Sequence, residues 1–136
     1  MEERPLSDYI QYKRERAFEA LDDIQKMLDS GMLSAAMNRI YYAGFYIVSA
    51  LVLLDGFSTS KHRQLIGYFN KNYIKTGKVP IDLGEILDES YNNRVAADYH
   101  DFVYLTKTQV EEFFNQMKDF ISFIDQMIQN RIKEQG

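Results

Sequence analysis

The sequence predicts an all-α fold, an antiparallel up-and-down bundle of about five helices. Three observations predict it. Apolar residues recur three and four apart over long stretches, as at Val110, Phe113, Phe114, Met117, Phe120, Ile121, Ile124, Met127 and Ile128. The chain has only two prolines, Pro5 and Pro80, and both fall at the edges of such stretches. No segment shows a competing strand alternation. Short loops between long helices make neighbours antiparallel.

The elements follow in order. Ser7 is placed to cap a first helix reaching about Leu28, with Ile10, Ala17, Leu21, Ile24 and Leu28 on one face. Asp29-Ser30-Gly31 stops it. A second helix spans about Met32 to Leu54 and ends at Asp55-Gly56. It is apolar on nearly every side, so it belongs in the centre of the bundle. A third starts near Ser58-Thr59-Ser60 and carries His62, Leu65, Ile66 and Phe69. Thr76-Gly77-Lys78-Val79-Pro80 breaks the chain before a fourth helix from about Asp82 to Ala97. Thr108-Gln109-Val110-Glu111 has the form of a capping box at or just inside a long last helix. Residues 1–6 and 131–136 are expected to fray.

The chain has 136 residues, which fits one domain. With 46% hydrophobic and 26% charged residues it is composed like a globular protein and can build a core without staples. It has no cysteine, which excludes disulfides and thiolate metal sites. With only two histidines as well, no metal or other cofactor is expected. No signal peptide is visible, and the apolar run Ile40 to Leu54 is short for a bilayer, so a cytoplasmic protein without a membrane role is expected.

The net charge is −4, which argues against a general nucleic-acid coat. Its distribution is uneven. Gly56 to Pro80 holds Lys61, Arg63, Lys71, Lys75 and Lys78 and no acid, leaving 11 basic and 20 acidic residues elsewhere. Such segregation either makes a local anion site or lets the basic segment lie beside the acidic stretch Asp82 to Asp101.

The polar residues of the central helix stand out. Asn38-Arg39-Ile40-Tyr41-Tyr42-Ala43-Gly44-Phe45 opens an otherwise apolar segment with an amide and a charge, which need partners if buried. Asn38 and Tyr42 share a face, Arg39 adjoins Tyr42, and Ser49 extends the Asn38 stripe. They form either a polar wall facing a phosphate or a structural network in which Arg39 pairs with an acid of the fourth helix such as Asp98. Lys61, His62 and Arg63 begin the third helix, with Tyr68, Phe69 and Tyr73 downstream. Free N–H groups at a helix start attract anions, and basic residues among aromatics suit phosphate contact and base stacking.

The order Asn38 to Phe45, then Lys61-His62, Phe69, and finally Arg94-Val95-Ala96-Ala97-Asp98-Tyr99 resembles the HEPN family (higher eukaryotes and prokaryotes nucleotide-binding) in its short stand-alone prokaryotic branch. The resemblance spans nearly the whole chain. It implies a helical bundle, a homodimer, and a minimal nucleotidyltransferase antitoxin as partner in a toxin–antitoxin-like pair. It also implies a nucleotide or RNA ligand, with a histidine at the position of His62.

Ribonuclease members of that family carry an arginine followed, after four to six residues, by a histidine. Arg94 and His100 satisfy that spacing. In that role the arginine holds the phosphate and the histidine moves a proton at the 2′-hydroxyl or leaving oxygen, without metal. Six residues turn an ideal helix about 600°, so the two side chains converge only if the helix ends near Asp98-Tyr99 or if two protomers share a site. Alternatively Arg94 and Asp98, four apart, form a helix-ending ion pair. Three readings therefore stand: a module binding nucleotide, RNA or a protein partner through Asn38, Arg39, Tyr42, Lys61, His62, Asp98 and Tyr99; a metal-independent endoribonuclease using Arg94 and His100; and a purely structural dimerisation domain. The first is slightly favoured, because the family's catalytic members usually have a polar residue where this chain has Val95, and because the six-residue step sets Arg94 and His100 apart on an ideal helix.

Overall fold

A computed structural model describes residues 5–99 and 105–135, with the side chains of 95–99 left out. Five α-helices form the bundle: α1 (Leu6–Asp29), α2 (Leu33–Leu53), α3 (His62–Phe69), α4 (Ile81–Tyr99) and α5 (Lys107–Gln135). One π-helical turn, Asn70–Ile74, continues α3. There is no strand among the described residues.

The core organises around α2. Its buried positions run almost without a break from Ile47 to Val52, and Ala36, Met37, Ile40, Tyr41, Ala43 and Gly44 are buried too. α1 packs along α2, and α4 and α5 close over its other sides. Because only residues 30–32 join α1 to α2, the two run antiparallel. Gly44 lets the helices approach: a Cβ there would lie 2.8 Å from Met117 Cε and 3.2 Å from Leu87 Cδ1. By length and composition α2 is apolar enough to cross a bilayer, contrary to the reading of its apolar run as short. However, 72% of its most apolar window is buried inside the bundle, as in a core helix.

Helix boundaries differ from expectation in ways the capping explains. Pro5, not Ser7, stands at the N-cap of α1. The capping box of α5 lies two residues upstream of the predicted one. The Gln109 N–H donates to Thr106 Oγ1 (3.1 Å), and the Thr106 N–H donates to Gln109 Oε1 (2.9 Å). Both Thr106-x-x-Gln109 and Thr108-x-x-Glu111 match the pattern, and only the first flanks the point where the chain turns helical. At its far end α5 continues through Gln135 rather than fraying from Arg131.

Arg131 is instead a tie. Its guanidinium donates to Asp55 Oδ1 (2.8 Å) and to the Tyr73 hydroxyl (2.7 Å). Asp55 Oδ2 accepts from Tyr73 (2.6 Å) and Tyr68 (3.1 Å). The loop after α2, the π-turn and α5 are thereby locked together. Burial and the adjacent Asp55 carboxylate hold the Tyr73 hydroxyl well above its ordinary pKa, so it remains a donor. At the opposite seam, Arg14 donates from Nε and Nη2 to the two oxygens of Asp125, joining α1 to α5.

Candidate functional site

α2, α3 and α4 meet at a cluster of aromatic rings around one imidazole. Spacing on α2 explains the first part. Tyr42 and Tyr41 lie three and four residues before Phe45 and so flank it on the two sides of one stripe. α3 begins at His62 and so delivers this ring at its first turn. The His62 ring centroid is 4.9 Å from Phe45, 5.3 Å from Tyr41, 5.7 Å from Tyr42 and 5.9 Å from Tyr91. From α4, one turn after Tyr91, Arg94 lays its guanidinium 5.4 Å from the Tyr41 ring centre, 5.3 Å from Tyr42 and 5.9 Å from Tyr91.

These contacts set the electrostatics. A guanidinium over aromatic faces is held by the ring quadrupoles while its N–H groups lie in its own plane, the geometry used for phosphate. The Tyr41 hydroxyl is 2.7 Å from His62 Nδ1. Tyr41 is fully buried, and burial drives its pKa well above the ordinary 10, so the hydroxyl keeps its proton. In the tautomer where this buried O–H donates, Nδ1 accepts. The imidazole proton then resides on Nε2. Burial, and secondarily the positive charge of Arg94, lower the His62 pKa below 6.5. His62 is thus an imidazole biased toward its neutral form beside a cation. Such a ring can donate an N–H to an anion, and after tautomer exchange it can accept a proton.

The expected residues divide into three groups. Tyr42, His62 and Arg94 come together here. Asn38 is half-buried on the same face of α2, one turn before Tyr41 and Tyr42. Lys61 is the exposed residue before α3, and its N–H donates to Thr59 Oγ1 (3.1 Å). Arg39 does not join them. It lines a separate groove with Asp23, Lys26, Met27, Ser30 and Met32, and no ion pair joins it to an acid of α4 among the described residues. The reason is angular, since Arg39 lies about 100° around the helix from Asn38. Ser49 is buried, and its hydroxyl has no hydrogen-bonding partner among the described residues. The side chains of Asp98 and Tyr99, and all of His100, lie outside the described residues.

Sequence reasoning passed over Tyr41, Phe45 and Tyr91 as parts of this cluster. Tyr41 and Phe45 stand in the Asn38–Phe45 stretch as apolar neighbours of its polar residues, and Tyr91 belongs to no motif. The available signal was an aromatic three residues before an arginine, Tyr91 before Arg94, facing an aromatic stripe elsewhere.

The basic segment does lie beside the acidic helix. Asn70 donates to Asp88 Oδ2 (3.2 Å), and Arg63 and Asp88 line one groove between α3 and α4.

Comparison with known proteins agrees with this architecture. A model of the HEPN domain matches residues 10–127. A UPF0332 protein of Thermotoga maritima is 39% identical over 121 residues, covering 89% of this chain and 92% of the relative. "Putative toxin MJ0142" of Methanocaldococcus jannaschii is 31% identical over 119 residues, covering 83% and 81% respectively. "Putative toxin MJ0605" of the same organism is 30% identical over 96 residues. With most of its length matched by the domain model and two toxin-named proteins among its relatives, this chain belongs to the HEPN family.

Proposed function

We propose that this protein is a toxin-like HEPN module that binds single-stranded RNA through a phosphate held at Arg94. It would act as a homodimer restrained by a nucleotidyltransferase antitoxin. One observation carries the ligand reading: a guanidinium set over three tyrosine rings, beside a neutral histidine whose orientation a buried hydroxyl dictates. An arginine pre-positioned in this way loses little freedom when it grips a phosphate. Neighbouring ring faces suit the splayed bases of single-stranded RNA. The basic first turn of α3, Lys61 to Arg63, has no acid to balance the positive helix end, which also favours an anion there.

The test is a fluorescence-anisotropy titration of a labelled single-stranded RNA. Arg94→Ala is expected to weaken binding about tenfold or more, and Arg94→Lys to restore little of it. Equal affinity of wild type and Arg94→Ala would overturn the assignment. The partner reading is tested by co-purification with a minimal nucleotidyltransferase, and its failure to co-purify would remove the partner.

The neutral state of His62 favours a second reading, metal-independent RNA cleavage to a cyclic phosphate. In this reading Arg94 stabilises charge on the phosphate, and His100 or His62 moves the proton. Cutting of single-stranded RNA in chelator should then fall at least a hundredfold in His100→Ala or His62→Ala. Full activity in both variants would remove this reading and leave the binding one.

A further inference from the structure

The groove between α3 and α4 adjoins the arginine site and has a different chemistry. It encloses about 250 Å³ and is lined by Arg63, Ile66, Gly67, Asp88, Tyr91 and Asn92. This is just below the ~300 Å³ at which pockets for whole drug-sized ligands begin. The space therefore suits one planar ring system. Tyr91 belongs to both places: it lines the groove, and its ring lies 5.3 Å from Tyr41 and 5.9 Å from the Arg94 guanidinium.

The polar groups of the groove are unusual for two helices that merely pack. Arg63 and Asp88 line the same space, yet no ion pair joins them among the described residues. Asp88 spends one hydrogen bond on Asn70 through Oδ2. A carboxylate has about four lone-pair directions, so most of its accepting capacity remains. Asn92 adds an amide that both donates and accepts. Gly67 lines the groove beside open space, since a Cβ there would meet nothing within 4 Å.

From this arrangement we infer that the groove is a nucleobase subsite selective for guanine, next to the phosphate held at Arg94. The inference rests on the RNA-binding reading of the preceding section. Guanine presents two adjacent donors, N1–H and the N2 amino group, on its Watson–Crick edge. A carboxylate is an acceptor for both at once, as Asp88 would be. Adenine, cytosine and uracil each place a ring acceptor or carbonyl where one of those donors is needed. Asn92 is positioned to meet the remaining edge, and Tyr91 offers a ring to stack on. Arg63 supplies a cation for the next phosphate along the strand. Selectivity arises because the wrong base leaves a charged acceptor facing another acceptor.

The test uses labelled uridine octamers carrying a single central guanosine, adenosine, cytidine or uridine. Wild-type protein is expected to bind the guanosine octamer about tenfold more tightly than the others. Asp88→Asn should abolish that preference without weakening binding of the all-uridine octamer, since it removes a negative charge beside a polyanion. Gly67→Leu fills the groove from an open position and should do the same. Its intact fold is checked by its thermal transition, so the test does not depend on one variant. Arg94→Ala should weaken all four octamers by a similar factor and keep the guanosine preference. Four equal affinities in wild type, or a guanosine preference untouched by both groove variants, overturns the base subsite. If Arg94→Ala still weakens binding in that case, the phosphate reading survives alone. Absence of binding to every octamer removes both.

Discussion

At the residue scale, His62 carries the sharpest consequences. Its folded-state pKa is below 6.5, so in the window beneath 6.5 the unfolded chain binds more protons than the native one. Stability dependent on neutral His62 is therefore complete above 6.5 and declines as pH falls through that value. Urea unfolding between about pH 8 and pH 5 should show wild type losing ground to His62→Gln on acidification. A constant difference between the two would contradict the assigned shift. Tyr41→Phe removes the hydroxyl that meets Nδ1 of this ring. It is expected to cost about 1 kcal/mol by chemical denaturation, while the burial and the Arg94 charge that lower the His62 pKa stay in place. This residue-level coupling was invisible in sequence. Tyr41 and His62 are 21 positions apart, and nothing local says that a buried hydroxyl on one helix will meet the first side chain of another. Arg94 and His62 could be singled out from motif; their shared aromatic surround could not.

At the element scale, the chain's periodicity was an accurate guide, and its ends were less so. Ile10, Ala17, Ile24 and Leu28 are buried on α1, and Val110, Phe114, Met117, Phe120, Ile121, Ile124 and Ile128 on α5, as their spacing predicts. Leu21, Phe113 and Met127, counted with them, are only half-buried, because they flank the stripes rather than centre them. Caps are decided by which of two equivalent patterns meets the turning point of the backbone. Thr106→Ala should therefore lower stability by about 1 kcal/mol, and Thr108→Ala by much less. Chemical denaturation of the pair decides it, and the reverse ranking would restore the downstream box. The π-turn at Asn70–Ile74 had no sequence signature. It exists where Tyr73 must reach Asp55 and Arg131, so its cause is tertiary.

At the scale of the whole molecule, the C-terminal turn of α5 is part of the structure. Deleting residues 131–136 would be harmless if that segment frayed. Because Arg131 ties α5 to Asp55 and Tyr73, Arg131→Ala should cost about 1–2 kcal/mol, partial exposure of the pair being allowed for. Truncation after Asn130 should cost at least as much. Thermal melts of the two variants test this, and wild-type transitions in both would show the tie to be ornamental. Charge segregation also resolves at this scale. The basic segment faces α4 across a groove rather than neutralising it contact by contact. That leaves room for a guest between opposite charges.

The helical class, the central place of the most apolar helix and the family to which the chain belongs were all determined by the sequence alone. Each depends on periodic burial or on residue order, which the chain states locally. Only the tertiary structure decided that Arg94, His62 and four aromatic rings share one corner while Arg39 looks elsewhere. Side chains that meet from three helices do so through the rotation of each helix about its axis. That rotation is set by how whole faces pack, as at the close approach of Met117 to Gly44, and no short stretch of residues encodes it.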